Sequence, residues 1–239
     1  MEIKLKKLGW ILFIALILLG VPRLAGLFAN QFNYIGIDPD GAFAWITIHH
    51  IVQALLLLPV IFILVRTKDY NFGFSVGDKK VGLYFVRLFA IIFTIYMVVS
   101  LIIVFLVGNF NTFPYPLTIR NILGQLGFQL FLSGSSEELI FRAFAITMLS
   151  LYLKGSFFSG KISSANFIAA IIFALAHVDF NFFPFSMTYD PFQLVYAGTL
   201  GITYGICYER SKSMIYPMIM HSMSNVVAVG VSIIAGFIL

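Results

Sequence analysis

Long apolar runs separated by short polar stretches make up almost the whole chain. By length and flanking residues they predict seven helical spans, at 8–28, 44–65, 84–107, 121–153, 163–180, 191–208 and 214–239. All but the fourth are close to the roughly 20 residues that carry an α-helix across a hydrocarbon core. The fold class that follows is all-α, a polytopic transmembrane helix bundle forming one membrane domain over 1–239. The fourth run is the exception, since 33 residues would make about 50 Å of straight helix against a core of about 30 Å. Gly134-Ser135-Ser136 offers a break in it, and Ser135 followed by Glu138 fits a capping box. A short interfacial helix over 121–133 and a span starting at Ser136 are favoured over one long tilted helix.

Composition and charge placement support the membrane reading. Hydrophobic residues make up 60% of the chain and charged ones 10%, with mean hydropathy +0.98, whereas soluble domains carry about 25% charged residues. With the N-terminus in the cytoplasm, eleven basic residues fall inside: Lys4, Lys6, Lys7, Arg66, Lys68, Lys79, Lys80, Lys154, Lys161, Arg210 and Lys212. Only Arg120 falls outside, with Asp38, Asp40, Asp179 and Asp190. That asymmetry sets the orientation and explains the net charge of +5 as topology, with no nucleic-acid partner expected. The basic N-terminus leads into a run long enough to span and followed by no small-x-small site, so a first span is expected and not a cleaved leader. The lone Cys207 excludes an intramolecular disulfide and reads as an inert small hydrophobe.

Against this background a few polar residues stand out. Glu137, Glu138 and Arg142 fall within six residues of an apolar stretch, where each charge costs about 3 kcal/mol or more unless paired or wet. Glu138 and Arg142 are spaced i, i+4 with the acid first, the better order for a helical ion pair, and as a buried pair they read as structural support. Glu137 points about 100° away around the helix and has no local cation. Two further spans bring His177, one turn after Phe173, and His221, one turn before Asn225. A carboxylate, two imidazoles and an amide can activate a water and hold an oxyanion. One carboxylate and two histidines can also hold zinc, although no H-E-x-x-H spacing occurs. On spacing alone a catalytic site, a proton or ion pathway and structural polar contacts all remain open.

Other features read blandly. His49 and His50 are adjacent, so their side chains diverge by about 100° and suit interface or packing roles. Gly198, Gly201 and Gly205 share a helix face and suit close helix approach. The segment 70–83 looks amphipathic and is expected along the inner membrane surface. The Phe-rich loop 180–185 is expected at the outer interface.

The three motifs Glu137-Glu138-x-x-x-Arg142, Phe173-x-x-x-His177 and His221-x-x-x-Asn225, in that order within 121–226, resemble the CPBP family of intramembrane proteases. This is also called the Abi or CAAX-protease family, and it includes type II CAAX prenyl endopeptidases and bacterial proteins tied to bacteriocin processing and immunity. The resemblance implies glutamate-dependent or metal-assisted peptide hydrolysis, with Glu137 and His177 activating water. His221 and Asn225 would assist at the oxyanion, and Glu138 and Arg142 would support them. The expected function is an intramembrane endopeptidase cutting a membrane-associated peptide or protein, by CAAX-type or leader processing. The rival is a non-hydrolytic immunity or scaffold protein, or an ion-coupled carrier. The cofactor stays open, with a divalent metal such as zinc as a candidate. The expected setting is the bacterial cytoplasmic membrane, with the lipid bilayer and a peptide or protein substrate as partners.

Overall fold

The computed structural model describes residues 2–108 and 112–239. Among these, seven helices follow one another: α1 (Glu2–Ala29), α2 (Ala44–Lys68), α3 (Lys79–Val107), α4 (119–150), α5 (Ser164–Leu175), α6 (Pro191–Ser211) and α7 (Ile215–Ile238). Two small antiparallel hairpins flank α5, β1–β2 (Ser156–Phe157 with Ile162–Ser163) and β3–β4 (Asp179–Phe182 with Phe185–Thr188). Helices α1, α2, α3 and α7 are long and apolar enough to cross a membrane. In lipid, only helices that satisfy their own backbone can do so, and the molecule is an all-α membrane-type bundle.

Helix starts follow from local chemistry. Thr118, Ser163 and Asp190 each place a side-chain oxygen on the first free amides of α4, α5 and α6, as capping residues do. The carboxylate of Asp38 accepts from the amides of Ala42, Phe43 and Ala44 at 2.7–2.8 Å and so anchors the start of α2. Burial opposes its charge, but the three amides and nearby Arg120 outweigh that and hold the carboxyl below its ordinary value. Its contribution is therefore complete above pH 4 or so and is lost as pH falls through the depressed value. Asp38→Asn is expected to destabilise the protein by about 1–2 kcal/mol. In a thermal melt the gap to wild type should be full at pH 7 and narrow as pH falls below about 4.

Helix α4 is the centre of the bundle and corrects the broken-helix expectation. It runs unbroken from 119 to 150, with π-helical turns at Gln129–Ser133 and Leu139–Phe144 on either side of the two glutamates. Ser135 caps nothing: its hydroxyl bonds back to the carbonyls of Phe131 (2.6 Å) and Leu132 (3.1 Å), an arrangement that lets serine sit inside a helix. Gly134 serves close approach and not a break, since a Cβ there would be 2.7 Å from Ser222 Oγ and 3.0 Å from Ser222 N on α7. Residues 139–146 are buried throughout.

The expected fifth span is shorter than its apolar run, because α5 stops at Leu175 and His177 lies in the turn beyond. The Phe-rich loop is the β3–β4 hairpin, and the side chain of Phe183 at its tip is 93% exposed. The segment 70–83 is not one amphipathic helix, because 70–78 is irregular and α3 begins only at Lys79. Phe72 is buried in the main core, Met214 N–H donates to Gly73 O, and Asp78 N–H donates to Ser211 O, so 72–78 is bound to the α6–α7 connection. Gly77, at φ +57°, has Ser211 O 2.1 Å from where a Cβ would stand.

One apolar cluster joins α1, α2, α4, α5 and α6, and a second joins α3, α6 and α7 around Phe89, Tyr204, Cys207 and Met220. Gly201 and Gly205 let α6 approach α5, with Ala170 and Asn166 filling the space of their missing side chains. A Cβ at Gly198 would make only an ordinary contact with Ala174.

Candidate active site

The two glutamates of α4 have different surroundings. Glu138 is fully buried, and its Oε1 is 3.0 Å from Arg142 Nη1 and 2.8 Å from His221 Nδ1. The Arg142 guanidinium lies 4.4 Å from the centre of the Phe173 ring and 5.3 Å from that of Tyr204. The carboxylate and the two ring faces offset the buried cation in part, while Glu138 Oε2 and Arg142 Nη1 and Nη2 have no hydrogen-bond partner among the described residues. Glu138 also fixes a histidine 83 residues away. A carboxylate accepts, so His221 Nδ1 carries the hydrogen and Nε2 is turned the other way. The Tyr204 ring stacks on His221, with centroids 5.1 Å apart. Tyr204 is itself tied by its hydroxyl to Ser224.

Glu137 faces a cavity of about 330 Å³ and its side chain is 20% exposed. Its Oε1 is 3.8 Å from His50 Nε2, and its Oε2 is 3.7 Å from His221 Nε2. Those gaps exceed a closed hydrogen bond and are short enough for one water to touch carboxylate and imidazole together. His177 lines the same cavity. Its Nδ1 is 2.9 Å from the carbonyl of Phe173; a carbonyl accepts only, so Nδ1 donates and Nε2 of the neutral ring is left as an acceptor. Asn225 also lines the cavity, and its Nδ2 donates to Ser133 Oγ at 2.9 Å, which fixes the plane of the amide. Phe128, Phe173, Tyr196 and Leu200 supply apolar wall.

The structure thus brings Glu137, His177, His221 and Asn225 to one cavity and sets Glu138 and Arg142 behind it. Sequence reading missed His50, which it assigned to packing. The adjacent pair divides: His49 Nε2 meets Pro22 O of α1 at 2.9 Å, while His50 points into the cavity. Gln53, one turn after His50, shares its face and its partner Ser136. Two polar residues at helical spacing inside an apolar span were the available signal.

A zinc ion needs its ligands all at about 2.0–2.2 Å. Among the described residues, no three His, Cys, Asp or Glu side chains are close enough together to hold a metal ion. The donors as placed here do not fit one.

A family model described as type II CAAX prenyl endopeptidase Rce1-like matches residues 118–227. The membrane-embedded CAAX protease MroQ of Staphylococcus aureus (strain USA300) is 29% identical over 141 residues, which cover 57% of this chain and 52% of that protein. The chain therefore spans about half the length of this curated relative. No solved structure matches it. The matched segment runs from the cap of α4 into α7 and carries all the cavity's ionisable side chains except His50. Residues 118–227 are thus similar to CAAX-type membrane proteases of the Rce1-like kind.

Proposed function

We propose that the protein is an intramembrane endopeptidase that hydrolyses a membrane-associated peptide or protein with water activated by Glu137 and His177. The observation that carries this reading is a carboxylate with an imidazole Nε2 facing each oxygen, in a cavity that also holds His177 and an amide. Glu137, or the free Nε2 of His177, takes a proton from water as its oxygen attacks the scissile carbonyl carbon. The new C–O bond leaves an oxyanion, toward which Asn225 Nδ2 donates, joined by His221 Nε2 once that ring has taken over the proton from Glu137. Glu138 opposite Nδ1 stabilises the imidazolium that this requires. The tetrahedral intermediate then breaks its C–N bond, and the proton taken from water passes to the leaving amine. Asn225→Ala should lower kcat by about 10²-fold, the usual effect of losing one oxyanion donor, with KM little changed in initial-rate measurements.

The fitting substrate is a peptide whose scissile bond reaches the cavity from within the lipid layer, either at a CAAX-type C-terminus or in a leader. MroQ is named a CAAX protease, and that class of substrate is proposed here on the family relation. The membrane is proposed to be the bacterial cytoplasmic one, with the N-terminus inside. The test uses the protein in proteoliposomes with two synthetic peptides, a prenylated CAAX-type peptide and an unprenylated leader peptide, and identifies new termini by mass spectrometry. Cleavage of either supports the proposal. Binding without cleavage would indicate a scaffold, proton-coupled uptake would indicate a carrier, and each overturns it.

A further inference from the structure

His50 lies on α2, outside the segment that matches the family model, and yet its Nε2 is 3.8 Å from Glu137 Oε1. It is buried, with its ring edge-on to Phe128 at 4.8 Å. Its Nδ1 is held on the far side by Ser136 Oγ at 2.7 Å and Gln53 Nε2 at 3.0 Å, and Gln53 Nε2 also donates to Ser136 Oγ. An amide nitrogen only donates, so Nδ1 accepts and the neutral ring carries its hydrogen on Nε2, facing Glu137. The other imidazole is set the opposite way: His221 Nδ1 faces a carboxylate and donates, so its Nε2 bears no hydrogen until the ring takes up a second proton.

We propose that His50 is a positioning residue for Glu137. Its Nε2–H holds Oε1, so that Oε2, on the His221 side, is the oxygen that accepts the proton of water. Ser136 immediately precedes Glu137, so the clamp on Nδ1 ties the ring to the same helical turn that carries the base. The 3.8 Å separation closes when substrate fills the cavity, as catalytic hydrogen bonds commonly do on leaving the free state. This inference rests on the reading of Glu137 as the base.

The experiment compares variants in proteoliposomes on whichever of the two synthetic peptides the wild type cuts, with thermal midpoint and monodispersity measured on each. His50→Ala should lower kcat by about 10²-fold, the penalty for a base displaced by an ångström, with KM and midpoint little changed. His50→Gln offers an amide N–H toward the same oxygen and should recover most of that loss. In a Glu137→Asp background the shortened carboxylate has already left His50, so adding His50→Ala should cost less than threefold more. If His50→Ala gives too little folded protein, Gln53→Ala frees the tautomer of the ring and should lower kcat at least tenfold. Wild-type rates in His50→Ala, or a loss that follows a lowered midpoint and adds in full to Glu137→Asp, would overturn the proposal. An active Glu137→Gln variant would remove the base assignment and this inference together. An inactive Glu137→Gln beside a fully active His50→Ala would remove this inference alone.

Discussion

Glu137→Gln is expected to reduce peptide cleavage by about 10³- to 10⁴-fold, the upper range for a positioned acid–base group, while the protein stays folded. Glutamine preserves the shape and an acceptor oxygen but cannot take a proton from water. The fold does not depend on the charge, because neither oxygen of Glu137 is closer than 3.7 Å to a basic nitrogen and the side chain faces the cavity. Initial rates in proteoliposomes, set against the elution profile and thermal midpoint of the same preparation, separate lost chemistry from lost structure. A scaffold would tolerate the change, and a carrier would show altered proton coupling with no cleaved product to lose.

The second large effect is on folding. Arg142→Met should destabilise the protein by about 3–5 kcal/mol, because it leaves the buried Glu138 carboxylate without its cation. That is a large share of the roughly 5–15 kcal/mol that separates most folded domains from unfolded ones. The expected result is a lower thermal midpoint and a reduced yield of monodisperse protein. The double change Glu138→Leu with Arg142→Leu removes both charges and should recover much of the yield. It should not recover cleavage, because His221 Nδ1 loses the carboxylate that orients it. Equal recovery of yield and activity would show that Glu138 serves the fold alone.

Much of the architecture was legible because lipid imposes a simple rule: long apolar runs become helices, and charges within them need partners. The i, i+4 spacing of Glu138 and Arg142 announced their contact, and the one-turn spacing of His221 and Asn225 announced a shared face. Other features depend on tertiary neighbours. The hydroxyl of Ser135 reads the same in sequence whether it caps a new helix or bonds back to Phe131, and only the packing of Gly134 on Ser222 selects the unbroken α4. Helix α5 ends before its apolar run does, which places His177 in a turn where its Nδ1 can reach the carbonyl of Phe173. The contact of Glu138 with His221 joins residues on separate helices and has no local signature. His50 was hidden by its neighbour, since adjacent histidines diverge and only the position of α2 against α4 decides which one enters the cavity.

Hydrolysis by a water that Glu137 activates would place one solvent oxygen in the product. Its most direct test is mass spectrometry of peptides released in ¹⁸O-labelled water from the same membranes carrying either the wild-type protein or Glu137→Gln. The wild type should yield peptides with one ¹⁸O in the new C-terminal carboxyl, and the variant none of these. The same labelled peptides from both, or none from the wild type, would contradict hydrolysis by a Glu137-activated water.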